Sequence, residues 1–168
     1  MFLLSDEQVL RQVEQGTIRI NPFEKKQLLS TCYYFRLGQH VTVRHRSGNE
    51  IVDLMRTSAT VEPGELTIIR SYESFELSES HMGLLGATTR LGVEKSLLLL
   101  HGPTIDPSYQ GPLDLALLNV GQTNVELTFQ MSIGKIHFLN IADSGLAKDH
   151  RIVTLQARIE RMASEARE

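Results

Sequence analysis

The sequence contains one cysteine, Cys32, and no tryptophan among its 168 residues. A single thiol cannot form an intrachain disulfide, which excludes a disulfide-stapled domain and favours a reducing compartment. Long apolar runs are also missing, because the longest, "SLLLLHG", is far shorter than the roughly 20 residues of a transmembrane helix. The start, "MFLLSDEQ", lacks the basic region and the apolar stretch of a signal peptide. We therefore expect a cytoplasmic protein without a membrane partner.

Concentrated positive charge is absent as well. Seventeen Lys and Arg residues face twenty Asp and Glu residues, for a net charge of -3, and no basic cluster occurs. Because nucleic-acid backbones are bound largely by concentrated positive charge, no nucleic-acid polymer is expected as a partner. Small anions can still bind locally.

Motifs for metal, nucleotide-loop and nucleophilic chemistry are missing too. The six histidines show no HExxH spacing and no CxxC motif accompanies them, so no metal site is predicted. Walker, GxGxxG and GxSxG patterns are absent, and Cys32 has no identifiable base beside it. A small buried thiol is the better interpretation of this cysteine.

Short β-prone segments separated by turn residues fill the chain from Thr17 to about Ile141. This pattern favours a mainly β sandwich or barrel over an alternating βαβ fold. Before it, Ser5 and Gln8 have the spacing of a reciprocal helix cap, and Gly16 can end the helix. A short N-terminal helix is therefore predicted over residues 6–15.

An apolar stripe near the end of the chain has helical spacing. Its members are Ile152, Leu155, Ile159, Met162 and Ala166. We predict an amphipathic C-terminal helix over 150–168, following one β domain over 1–149. This helix can pack on its own β core or on a neighbouring subunit, and the sequence leaves both alternatives open.

Four collinear stretches carry a family resemblance after the lead-in "LLSDEQVLRQVEQGTIRINPF". They are "FRLG" at 35–38, "TRLGVEKSLLLLHG", "TIDPSYQGPLDLALLN" and "VELTFQMSIGKIHF". Over residues 2–141 the chain resembles the dCTP deaminase/dUTPase superfamily, in particular its dCTP deaminase-like branch. The resemblance implies a distorted jelly roll, a homotrimer with sites shared between subunits, and a pyrimidine deoxynucleotide as the small-molecule ligand.

The same resemblance assigns the site residues. It gives Asp106 the positioning of water and sugar, as the catalytic residue of an active enzyme, and places Tyr109 against the deoxyribose. Arg90 matches an arginine whose planar guanidinium suits phosphate oxygens. The rest of the predicted ligand-binding set is Thr88, Thr89, Lys95 and Gln110. No cofactor is required, although Mg²⁺ can accompany the nucleotide phosphates.

Departures from the family pattern mark the active-site motifs as degenerate. Family deaminases carry a proton-shuttling glutamate where this sequence has Ala116, and a methyl group cannot transfer protons. Tyr34 stands where an aspartate is expected, and Phe129 and Gln130 replace Pro-Gly. Asp114 shares a strand face with Ala116, but two residues along a strand span about 6–7 Å.

Three functions remain open on this basis. The one we favour is a trimeric binder of a pyrimidine deoxynucleotide or related small molecule that has lost deaminase chemistry. The second is an active enzyme, either a dUTP diphosphatase using Asp106 and water or a deaminase using a relocated acid such as Asp114. The third is a purely structural trimer, since "DPSYQG" also fits a simple tight turn shaped by Pro107 and Gly111.

Overall fold

The computed structural model describes residues 1–141, and β-strands dominate this part of the chain. The one α-helix in it is α1, Asp6–Glu14, accompanied by a 3-10 turn at Lys25–Gln27 and a π-helical turn at Arg90–Glu94. The strands are β1 Phe2–Leu3, β2 Ile18–Asn21, β3 Leu28–Leu29, β4 Cys32–His45, β5 Gly48–Asp53, β6 Ala59–Val61, β7 Leu66–Leu77, β8 His81–Ala87, β9 Leu97–Leu100, β10 Thr104–Ile105, β11 Gln110–Asn119, β12 Val125–Leu127 and β13 Ser132–Asn140.

All strand pairs are antiparallel, and eleven strands form one curled sheet. Its main path runs β10-β8-β13-β4-β7-β11-β9, while β6 and β12 form a separate pair. Strand β4 joins both halves of the sheet, because residues 33–36 pair with β13 and residues 41–44 pair with β7. The strand changes partners between Arg36 and Leu37, and its register with β7 shifts between Leu37 and Val41. The mainly β prediction is confirmed.

Helix α1 begins at the predicted cap. The Ser5 hydroxyl accepts from the Gln8 backbone N–H at 3.3 Å, and the Gln8 side-chain oxygen Oε1 accepts from the Ser5 backbone N–H at 2.9 Å. Val9 points into the core and is fully buried. The helix ends at Glu14, one residue before the predicted boundary. The predicted C-terminal helix and the division at residue 149 lie outside the described residues and stay predictions.

Aromatic side chains from β4, β7 and β13 form the centre of the core. Phe35, Phe75 and Phe138 are fully buried, and the Phe35 and Phe75 rings meet edge to face at 6.3 Å. Gly134 brings the backbone of β13 against this cluster, because a Cβ at Gly134 would overlap the Phe35 ring. Within residues 1–141, no helix has both the length and the apolar character required to span a bilayer.

Candidate functional site

The turn between β10 and β11 carries Asp106 and Tyr109. The Tyr109 N–H donates to the Asp106 carbonyl oxygen at 3.2 Å, which closes the turn. Ser108 has a φ of 62°, a left-handed conformation that costs a non-glycine residue about 1–2 kcal/mol. Gly111 follows with a φ of 132°. "DPSYQG" is thus a tight turn, and the turn fixes the two side chains that the sequence assigned to a site.

Asp106 and Tyr109 line a cavity of about 180 Å³, here called the turn cavity. Asp106 is exposed, and its carboxylate accepts from the Thr104 hydroxyl at a long 3.5 Å, so it remains available to water or a ligand. The Tyr109 hydroxyl donates to the Pro112 carbonyl oxygen at 2.6 Å, which fixes the ring. Burial raises the pKa of Tyr109, so this hydroxyl stays protonated near neutral pH. Gln110 is exposed and faces Glu76 across the sheet.

One side of the turn cavity is a strand edge. Strand β11 pairs with β9 only over Ala116–Asn119, so along 113–115 that edge has no partner strand in the described part of the chain. Thr104 and Ile105 of β10 stand on the opposite side of the cavity. Unpaired peptide groups at a strand edge offer both donors and acceptors, which suits a planar polar ring.

Arg90 and Lys95 line a second cavity of about 250 Å³, here called the arginine cavity. Its lining is completed by Leu91 of the π-helical turn and by Thr128, Met131 and Ser132 around the start of β13. The Arg90 Nε donates to Glu94 at 3.1 Å within the π-helical turn, and both side chains are exposed. The cavity therefore presents two cations, one of them partly offset by a carboxylate, to a small anion.

The two predicted threonines differ in their surroundings. Thr88 is 7% exposed, and its hydroxyl accepts from the Leu91 N–H at 3.2 Å, which caps the π-helical turn. Thr89 is exposed at the start of the same turn and makes no capping hydrogen bond. Of the two hydroxyls, that of Thr89 is the one open to a ligand.

The structure does not place Asp106 and Arg90 in the same cavity of one chain. Asp106 and Tyr109 line the turn cavity, whereas Arg90 and Lys95 line the arginine cavity. Each cavity holds one kind of chemistry, with a carboxylate and an aromatic ring in the first and cations in the second. One chain therefore offers two separate part-sites.

Ala116 lies on the outward face of the sheet between apolar neighbours. Ile68 of β7 and Leu100 of β9 stand directly opposite it in the register. Asp114, two residues earlier on β11, is paired with Arg70 through two hydrogen bonds of 2.7 and 3.1 Å. The acid nearest to Ala116 along this strand thus has both oxygens bound by a guanidinium.

A larger groove beside this ion pair was missed by sequence reasoning. It has a volume of about 640 Å³ and is here called the Arg70 groove. Its polar lining comes from Gln39, His40, Thr42, Arg70 and Asp114, and its apolar lining includes Met55, Ile68, Tyr72 and Phe129. Strand alternation in "LTIIRSYE" puts Arg70 on one face, but its partner depends on the pairing of β7 with β11, which the sequence does not reveal.

Arg36, the arginine of "FRLG", is buried in the interior of the protein. Arg36 is 5% exposed and Glu73 is fully buried. The Glu73 carboxylate accepts one hydrogen bond from the Arg36 Nε at 2.6 Å and another from the Arg36 backbone N–H at 2.8 Å. A second carboxylate, Glu24, lies 2.7 Å from Nη1. The guanidinium also lies 4.9 Å from the centre of the Tyr72 ring. Burial raises the pKa of Glu73, while Arg36 opposes that shift.

No group of three or more metal-ligating side chains occurs within residues 1–141. Two histidines in this part of the chain lie in environments that shift their pKa values in opposite directions. His45 contacts Glu65 at 2.5 Å and Glu50 at 3.1 Å, and the hydrogen bonds to Glu65 and then Glu50 raise the pKa of His45 above 6.5. His81 is 1% exposed, and burial lowers its pKa.

These shifts predict opposite contributions to stability. His45 stabilises the fold fully below its unfolded pKa near 6.5, and this contribution is lost as pH rises through its higher folded pKa. His81 must stay neutral, so stability is lost as pH falls below about 6.5. His45→Gln should therefore reduce the loss of stability on the alkaline side, and His81→Gln should reduce the loss on the acid side.

Urea midpoints measured from about pH 5 to about pH 8.5 check this prediction. Asn49→Ser, which changes an exposed residue of β5 without a titratable side chain, is the control and should leave the shape of the profile unchanged. If the urea midpoint changed with pH in the same way for all three variants and the unaltered protein, the opposite contributions of His45 and His81 would be contradicted.

The curled antiparallel sheet has the architecture of dUTPase-like proteins. It matches the crystal structure of the 2'-deoxycytidine 5'-triphosphate deaminase from Agrobacterium tumefaciens with a TM-score of 0.68 at 17% identity. That match covers 81% of this chain and 48% of the other, so this protein spans about half of that chain's length. A dUTPase of Staphylococcus bacteriophage 80alpha matches with a TM-score of 0.53 at 13% identity, over 84% of this chain and 94% of that one. The predicted dUTPase-like fold is confirmed.

The family model described as dCTP deaminase-like matches residues 3–141. This protein belongs to the dCTP deaminase-like family, as the four motifs predicted. It is similar to "dCTP deaminase, dUMP-forming" of Methanospirillum hungatei, at 27% identity over 82% of this chain and 80% of the relative. The protein of that name from Acidothermus cellulolyticus is 29% identical, over 80% of this chain and 78% of the relative.

Proposed function

We propose that this dCTP deaminase-like protein binds a pyrimidine deoxynucleotide as a homotrimer and does not deaminate it. The observation that carries the proposal is the surroundings of Ala116. Its cross-strand neighbours are Ile68 and Leu100, neither of which can transfer a proton. Replacement of an amine by water needs a group that moves protons at the reacting carbon.

Asp114 is the acid nearest to Ala116 along the strand, and its surroundings argue against a role in proton transfer. Both carboxylate oxygens accept hydrogen bonds from Arg70. A carboxylate whose two oxygens are held by a guanidinium is fixed toward that partner and is not free to reach the group at position 116. Asp114 is therefore a poor replacement for the glutamate that the family resemblance places at position 116.

Nucleotide binding is supported by the two cavities. The turn cavity offers the free Asp106 carboxylate, a fixed Tyr109 ring and an unpaired strand edge, which suit a sugar and a planar base. The arginine cavity offers Arg90 and Lys95 for phosphate oxygens. Because one chain holds these part-sites in separate cavities, association of chains is the proposed way of completing a site.

An exposed apolar row supports association. Ile51, Thr42, Ile68, Ala116 and Leu100 lie directly opposite one another across five neighbouring strands. Ile51 is 75% exposed and Leu100 is 40% exposed. Four of these five side chains are apolar, and an exposed, largely apolar surface of this kind is typical of a protein interface. Sedimentation should give the mass of three chains, and a monomer at micromolar concentration would contradict the proposed trimer.

The functional test combines binding with product analysis. The protein is incubated with dCTP or dUTP and Mg²⁺, products are separated, and thermal shifts are recorded. We expect stabilisation without product, since a ligand at 100 times its Kd adds about 2.7 kcal/mol to the free energy of unfolding. Asp106→Ala should reduce the shift, whereas Glu126→Ala, an exposed acid on β12, should not.

Each other outcome identifies a different function. Formation of dUTP from dCTP would overturn the loss of deaminase chemistry. Release of dUMP and diphosphate from dUTP, abolished in Asp106→Ala, would identify a hydrolase. No thermal shift with any saturating nucleotide would leave the purely structural trimer.

A further inference from the structure

A buried serine of β7 holds the strand edge that lines the turn cavity. Ser71 is 4% exposed, and its hydroxyl accepts from the Leu113 N–H at 2.8 Å and donates to the Glu73 carbonyl oxygen at 2.5 Å. We propose that Ser71 is a positioning residue for the base of the bound nucleotide, because it fixes this edge without lining the cavity. The inference rests on the proposed function and concerns the same site.

The peptide groups of β11 face its two neighbouring strands in alternation. The Leu113 and Asn119 N–H groups both donate toward β7, whereas the Val120 N–H donates toward the start of β9. The register with β7 is unbroken from 114 to 118. Odd-numbered residues of this stretch therefore face β7, and even-numbered residues, including Asp114, face the opposite edge.

Asp114 thus has its backbone N–H and C=O on the edge where β9 is missing. The pairing with β9 stops at Ala116, so within residues 1–141 no strand stands opposite these two groups. Asp114 also lines the turn cavity, while its side chain is held by Arg70 on the outward face. Its backbone consequently offers one donor and one acceptor to a base in the cavity.

A bulge sets the position of this backbone. The register shifts between Pro112 and Asp114, where three residues of β7 stand opposite Leu113 alone. A bulge disrupts the regular ladder and leaves main-chain groups without their usual partners. The Ser71 hydroxyl takes the place of the missing main-chain acceptor for Leu113, directly before the edge that faces the cavity.

The site of the serine needs a group that accepts and donates at once. The Glu73 carbonyl oxygen takes the hydroxyl proton, which leaves an oxygen lone pair for the Leu113 N–H. Gly38 of β4 lies so close behind that a Cβ there would be 3.2 Å from the Ser71 carbonyl oxygen, so β7 has little room to shift. Without the hydroxyl, a buried N–H loses its acceptor, and the adjoining Asp114 edge must move to satisfy it.

Calorimetric titration with dCTP and with 1',2'-dideoxyribose 5'-triphosphate, which has no base, tests this role. Ser71→Ala should weaken dCTP binding about tenfold, as for one misplaced hydrogen bond, and leave the affinity for the analogue unchanged. Ser71→Thr keeps the hydroxyl and should restore dCTP binding, and Ser71→Cys, with a weaker acceptor, should give an intermediate loss. Thr67→Val is the control, because the buried Thr67 hydroxyl on the same face of β7 has no hydrogen-bond partner within residues 1–141.

The outcomes separate this inference from the proposed function. If the unaltered chain binds dCTP and Ser71→Ala binds it equally tightly, the role of Ser71 is overturned and the proposed function stands. Equal losses of affinity for dCTP and for the analogue would assign Ser71 to the fold alone and would also overturn the inference. Failure of the unaltered chain to bind dCTP would overturn the proposed function and this role with it.

Discussion

Replacing Glu73 with glutamine should lower the free energy of unfolding by about 3–5 kcal/mol, because it breaks a buried ion pair and leaves a charge behind. Glu73 is fully buried, and its carboxylate accepts hydrogen bonds from both the Nε and the backbone N–H of Arg36. The neutral amide cannot balance the guanidinium, because Arg36 is 5% exposed and then keeps only Glu24 as a counter-charge. Urea unfolding at a fixed protein concentration measures the loss.

Two comparisons isolate the cause. Glu76→Gln removes an exposed carboxylate from the same strand and should cost at most about 1 kcal/mol. The double variant Arg36→Met with Glu73→Leu should recover only part of the loss, because it removes the buried charge but leaves the backbone N–H of residue 36 without its acceptor. A Glu73→Gln midpoint equal to that of Glu76→Gln would show that burial of the charge is not what stabilises this motif.

Replacing Gly134 with alanine should cost about 1–3 kcal/mol, and valine should cost more. The added Cβ would overlap the ring of Phe35, which is fully buried and has no free space to enter. The strand must then move away from β4, which also displaces the start of β13 that lines the arginine cavity. Both the urea midpoint and any nucleotide-induced thermal shift should fall.

Gly86→Ala is the matched control on the neighbouring strand. A Cβ at Gly86 would meet only the flexible Lys135 side chain, at an ordinary 3.7 Å. Since alanine also loses less conformational freedom than glycine, this variant should be neutral or slightly stabilising. Equal losses for the two alanine variants would indicate a general intolerance of the pairing between β8 and β13 instead of a clash with Phe35.

The features that could be predicted from the sequence are local ones. The cap of α1 needs only Ser5 and Gln8, which are three residues apart. Most of the longer strands can be recognised by the alternation of polar and apolar residues. Strand β8 has no such signal, because "HMGLLGA" contains two glycines and no regular alternation of polar and apolar residues. The π-helical turn was missed because its cap by Thr88 has no distinctive sequence pattern.

In the candidate site too, contacts between residues close in sequence could be predicted and contacts between distant residues could not. Asp106 and Tyr109 lie in one turn, and Arg90 and Lys95 lie around another, so their grouping could be inferred from neighbouring positions. Arg70 and Asp114 are separated by 44 positions, and their contact depends on a bulge between Pro112 and Asp114. A single shift of that register would turn Asp114 away from Arg70. The Arg70 groove therefore needed the structure.

Strand β4 has a consequence for how the protein opens. Its first half is hydrogen-bonded to β13 and its second half to β5 and β7, so neither half of the curled sheet can separate while β4 remains intact. Amide protons in the two halves should consequently exchange with solvent through one shared opening event and not through two independent ones. A ligand of the turn cavity would then slow exchange across the whole sheet and not only in the strands that it contacts.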